Sequence, residues 1–72
     1  MVIRKISIGS DYKNAMHYIV GQTVLDGNYK IHNIIADGTF IEIWIENSIK
    51  EVIKWKSFNV AMPMAIEFNI NF

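Results

Sequence analysis

Cysteine is absent from the 72 residues, so the chain forms no disulfide and offers no thiolate to a metal or a substrate. That absence suits a reducing compartment. Proline occurs once, at Pro63, and glycine four times, at Gly9, Gly21, Gly27 and Gly38. These glycines stand singly, which excludes a phosphate-cradling glycine loop and a flexible linker. Charge is sparse and balanced, with seven Lys and Arg against seven Asp and Glu. A surface that neutralises duplex phosphates carries an excess of base, so double-stranded nucleic acid is disfavoured as a partner. No apolar run approaches the roughly 20 residues of a membrane span. The basic opening Met1–Lys5 leads into no signal-peptide apolar core. The expectation is a cytoplasmic chain without a membrane partner.

Catalytic groups are equally scarce. His17 and His32 are the only histidines, and nothing at metal-ligand spacing accompanies them. Ser7, Ser10, Ser48 and Ser57 lie in no nucleophile motif. Asp11 and His17 would meet only if residues 10–18 were helical. No catalytic residue, metal or cofactor is expected, and the chain reads as a non-enzyme.

Hydrophobic residues make up 51% of the chain. A single domain over residues 1–72 buries a modest share of its surface, and scaffolds of this size normally need a disulfide, a metal or self-association. With no cysteine, self-association is the remaining route, and a homo-oligomer is expected.

The pattern of apolar residues is β almost throughout. Val2–Ile8 alternates loosely and stops at Gly9, with Ile6 and Ile8 inward. Residues 11–20 balance between helix and strand. Ser10 suits a helix cap, and Tyr12, Ala15, Met16 and Ile19 fall at helical spacing, yet Met16, Tyr18 and Val20 also alternate. A short helix or irregular segment near residues 11–18 is predicted, centred on 11–16 and leading into an extended stretch. Asp26-Gly27, Asp37-Gly38 and Asn47-Ser48 read as turns between antiparallel strands. Tyr29, Ile31 and Ile35 are placed on one face of the second hairpin strand. A strand over Ile49–Phe58 sets Ile53 and Trp55 against Lys50, Val52, Lys54 and Lys56. After a connection through Pro63, the last strand alternates Met64, Ile66, Phe68, Ile70 and Phe72 against polar residues. The predicted fold is mostly β: a small antiparallel meander rolled into a barrel of Src-homology type or a strongly curved sheet.

The segment Thr39–Glu46 alternates most strictly. Ile41, Ile43 and Ile45 form one face; Phe40, Glu42, Trp44 and Glu46 form the other. Two large aromatics between carboxylates suggest a surface that meets a subunit, a second layer or a planar ligand. Glu42 and Glu46 read as partners for Lys50 or Lys54 across the hairpin. Lys54 and Lys56 flank Trp55, and Tyr12, Lys13, His17 and Tyr18 form a second aromatic–cation group. Aromatic rings beside cations suit stacked bases and phosphates. Backbone amides at Gly9 and Ser10 would suit an anion. The candidate ligand-binding set is therefore Tyr12, Lys13, His17, Tyr18, Trp44, Lys54 and Lys56. The alternative is a solvated lysine face with tyrosines plugging the barrel ends.

The run Lys5–Tyr12 with Ala15–Gln22, continuing through Lys54–Phe58 and the final strand, resembles small early proteins of T-even-type bacteriophages. The resemblance implies expression in the host bacterial cytoplasm and a role in disarming or redirecting host machinery. It implies binding rather than turnover: the leading reading is an oligomeric sponge that sequesters a cyclic or other small nucleotide used as an immune signal, and the alternative is an inhibitor that covers a host enzyme or defence protein through the Phe40/Trp44 face. A single-stranded nucleic-acid binder is a third reading. The resemblance supplies no functional residues.

Overall fold

A computed structural model describes residues 2–69, and of Tyr12 the backbone only. The seven strands are β1 (Val2–Ile8), β2 (Met16–Ile19), β3 (Thr23–Val24), β4 (Tyr29–Asp37), β5 (Phe40–Asn47), β6 (Val52–Asn59) and β7 (Met64–Asn69). A single 3₁₀ turn, Tyr12–Asn14, joins β1 to β2. The fold is thus mostly β with almost no helix, as the alternation predicts. All pairings are antiparallel, in a three-stranded sheet β2-β1-β7 and a four-stranded sheet β3-β4-β5-β6 that curls as a half-barrel. The four-stranded sheet is the predicted meander. The last strand departs from it and returns to pair with the first.

Both sheets bury their apolar faces in one core of eight isoleucines and Tyr18. Ile3, Ile6, Ile8 and Tyr18 come from the smaller sheet; Ile31, Ile34, Ile41, Ile43 and Ile45 come from the larger. β-Branched side chains fill a pleated surface with little rotamer freedom to lose. The chain crosses between sheets at Val20–Gln22. Val20 N–H still donates to Arg4 O in the smaller sheet, at 2.9 Å, while Gly21 N–H donates to Ile31 O in the larger, also at 2.9 Å. Gly21 takes φ 95° at this corner, a conformation that costs glycine little.

Several expectations need correction. The residues on one face of β4 are not Ile31 and Ile35. A bulge between Ile31 and Asn33 adds one residue, which turns Ile34 inward and leaves Ile35 38% exposed. The first hairpin loop is longer than Asp26-Gly27. Val24 pairs with Tyr29, and Leu25, Asp26 and Gly27 all take positive φ. The Asn47-Ser48 turn is also longer, and β6 starts at Val52 rather than Ile49. Asn47 Oδ1 accepts the N–H groups of Ile49 and Glu51 at 3.1 and 2.9 Å, which organises the loop. Ile53 pairs with Ile45 on the inward face but lies 46% exposed on an edge strand. Ile70 and Phe72 lie outside the described residues.

Candidate ligand-binding surface

Trp44 stands on the outward face of β5. Its register neighbours are Asn33 on β4 and Lys54 on β6. Trp44 Nε1 donates to Glu42 Oε1 at 3.1 Å, and Glu42 Oε2 lies 3.6 Å from Lys54 Nζ. On the other side, Glu46 reaches His32 Nδ1 at 3.6 Å and Lys50 Nζ at 3.9 Å. Glu42 and Glu46 therefore pair with Lys54 and Lys50 as the spacing predicts. The same pairing draws the ammonium of Lys54 onto the Glu42 carboxylate, which also holds the indole of Trp44. Asn33 Oδ1, beside this strand, is buried without a hydrogen-bond partner among the described residues. Phe40, Ile35 and Val52 share the outward side of this sheet by register and remain 45%, 38% and 40% exposed.

The three lysines of the 50–56 segment do not form one stripe. A bulge at Trp55 sets Lys54 opposite Trp44 but Lys56 opposite Ile43. Lys56 Nζ sits 4.8 Å from the centroid of the Trp55 ring, within the range of a cation–π contact. Trp55 packs against the core, as its alternation predicts.

The second aromatic–cation group disperses. Tyr18 is only 6% exposed and packs against Trp55 and Phe58, with ring centroids 5.9 and 5.7 Å away. Its ring faces the interior, and burial pushes its phenol above the usual value. Lys13 is exposed on the 3₁₀ turn, where its backbone N–H donates to Asp11 Oδ1 at 3.1 Å. Asp11 Oδ2 accepts from Asn14 Nδ2 at 2.8 Å, so the carboxylate serves this turn. The helical turn ends at Asn14 and the extended stretch begins at Met16, so Asp11 and His17 share no helix face, and His17 Nδ1 meets Ser7 Oγ at 2.8 Å instead. The Tyr12 side chain lies outside the described residues. The expected anion site at Gly9 is also displaced, because Gly9 N–H donates to Pro63 O at 2.8 Å.

Sequence reasoning missed the Ser7–His17 pair. The two residues face each other across β1 and β2; that register is visible only once residues 16–19 are read as strand. Ser7 is 4% exposed, and the hydrogen bond satisfies a buried hydroxyl.

Comparisons with protein-family models, curated proteins and solved structures find no match. The site must therefore be read from its own geometry. The open clefts are small or uncharged. One of about 220 Å³ holds Tyr29, Lys30, Glu46 and Lys50 between two hairpin loops. Another of about 480 Å³ is lined by Ser7, Gly9, Ser10, Ala15, Pro63, Met64 and Ala65, with no charged group. Small-molecule sites usually span roughly 300–1,000 Å³ with a few convergent polar groups. Neither cleft combines that size with a cation.

Proposed function

We propose that this chain is a non-catalytic binding protein that works as a homo-oligomer and engages its ligand through outward sheet surfaces. The observation that carries this reading is the apolar area left uncovered. Among the described residues, twelve large hydrophobic side chains are more than a third exposed. Three of them are contiguous: Val2, Ile35 and Phe68 line one open apolar cleft of about 380 Å³. Contiguous apolar surface on a small domain marks an interaction site.

Of the two ligand classes raised by the sequence, the geometry favours a protein surface on the Phe40–Trp44 face. An indole held in place by Glu42, with Phe40, Ile35 and Val52 exposed on the same outward side of the sheet, has the character of a protein-interface anchor. The nucleotide reading keeps one specific observation, the Lys56 ammonium over Trp55, and it requires a site completed between copies, since neither cleft described above supplies room and charge together. In the bacteriophage setting, the first reading is an inhibitor of a host enzyme or defence protein, and the second a sponge for a cyclic nucleotide signal in the host cytoplasm.

Light scattering after size exclusion tests the assembly, with a dimer or larger expected at micromolar concentration. A monomer mass across a wide concentration range would reject it. A thermal-shift screen against mono-, di- and cyclic oligonucleotides separates the ligands. Stabilisation by mass action selects the nucleotide sponge; its absence selects the protein inhibitor.

A further inference from the structure

The hydrogen-bond phase of β1 shows which backbone groups of β7 are unused. Val20 N–H donates to Arg4 O, and Gly9 N–H donates to Pro63 O. In an antiparallel ladder, successive residues aim their N–H and C=O groups at alternate neighbours. Arg4, Ile6 and Ile8 therefore bond to β2, while Lys5, Ser7 and Gly9 bond to β7. Their β7 partners are Glu67, Ala65 and Pro63. It follows that Met64, Ile66 and Phe68 turn their backbone groups away from β1. Among the described residues, no strand lies beyond β7.

The other sheet edges carry features that oppose strand addition, and residues 33–37 of β4, which extend past β3, adjoin the bulge at His32 and end on Asp37. β2 has four residues and β3 has two. β6 carries Lys54, Lys56 and the bulge at Trp55. Short strands, lysines and bulges are the usual defences of an edge. β7 has none of them: it is six residues long, and its only charge is Glu67.

We propose that β7 pairs antiparallel with β7 of a second copy, about a two-fold axis through Ile66. This inference rests on the homo-oligomer reading above and assigns its interface. Only registers that match even-numbered residues with one another bring the outward-turned groups together. An axis at Glu67 sets two carboxylates opposite each other at a non-hydrogen-bonded pair, where side chains come closest. An axis at Ala65 leaves Phe68 beyond the paired strand. The axis at Ile66 pairs Ile66 with itself and Met64 with Phe68, which is 48% exposed in one copy. It also places Glu67 opposite the small Ala65. The contact is isologous, and it joins the two smaller sheets into one continuous sheet.

Ala65 is exposed and lies opposite Glu67 of the second copy twice in the dimer, so a charge placed at position 65 reads the register. Ala65→Glu should weaken self-association about tenfold or more, and Ala65→Lys should strengthen it. Dissociation constants come from sedimentation equilibrium, with tryptophan fluorescence confirming the fold of each variant. In the unaltered protein, hydrogen exchange at the Met64, Ile66 and Phe68 amides should slow as concentration rises. An oligomer whose affinity ignores both substitutions, with these amides unprotected, overturns the β7 interface and leaves the homo-oligomer reading standing. A concentration-independent monomer overturns both.

Discussion

Tyr18 of β2 and Trp55 of β6 meet edge to face, with ring centroids 5.9 Å apart and planes at 82°, and this contact ties the smaller sheet to the half-barrel. Each ring contributes buried area, and the pair adds about 0.5–1.5 kcal/mol beyond that area. Tyr18→Ala and Trp55→Ala should each lower stability by about 3 kcal/mol. In a double-mutant cycle their coupling should be about 1 kcal/mol. Urea denaturation of the four proteins measures this. Strict additivity would show that the two rings act independently.

The buried phenol of Tyr18 also sets an alkaline limit. Its folded value is raised, so the unfolded chain loses this proton first as pH rises. The associated stability is fully present below the usual tyrosine range and is lost as pH climbs through the folded value. Tyr18→Phe should remove this part of the alkaline destabilisation. The thermal midpoint of Tyr18→Phe should therefore rise relative to that of the parent as pH climbs through the tyrosine range.

Glu67 gives the opposite sign at the acid end. Its pKa is lowered, first by the hydrogen bond from Arg4 at 3.2 Å; desolvation, the next effect, opposes this, and Lys5 at 3.5 Å lowers it further. A depressed carboxyl contributes stability above the ordinary carboxylate range, and that stability is lost as pH falls through the folded value. Glu67→Gln should therefore be less stable than the parent at neutral pH and equal to it in acid. Thermal midpoints taken across the acid range, at a fixed protein concentration, check this. A difference that grows on acidification would contradict the assignment.

The inward face of β5 is legible because period-two alternation needs no tertiary information: Ile41, Ile43 and Ile45 are 1%, 0% and 0% exposed. The Glu–Lys pairing across the hairpin is legible for the same reason. The bulges in β4 and β6 are not. Each inserts one residue and reverses the alternation beyond it, so Ile34 replaces Ile35 and Lys56 parts from Lys54. Residues 16–19 read equally as helix or strand. Their pairing with β1 is a tertiary event, and it carries both the burial of Tyr18 and the Ser7–His17 contact. Of the candidate site, Trp44 and Lys54 do meet across adjacent strands; Tyr18 joins the core because sequence periodicity does not report which aromatic plugs the interior.

Lys50 sets two effects against each other. It holds φ at 67°, a left-handed conformation that costs a side-chain-bearing residue about 1–2 kcal/mol. It also pairs with Glu46 at 3.9 Å while 77% exposed, and such surface pairs contribute about 0–1 kcal/mol. Glycine removes the strain but loses more entropy on folding, about 0.5–1 kcal/mol. Alanine keeps the strain and loses the ion pair. Glycine loses the ion pair as well, so Lys50→Gly should lie within about 1 kcal/mol of the parent and above Lys50→Ala. Lys50→Ala should be neutral to slightly destabilising, and the gap between the two variants should persist in high salt, where the ion pair is screened. Chemical denaturation at low and high ionic strength measures both. If Lys50→Ala proved the more stable variant, backbone strain at this turn would not be the governing term.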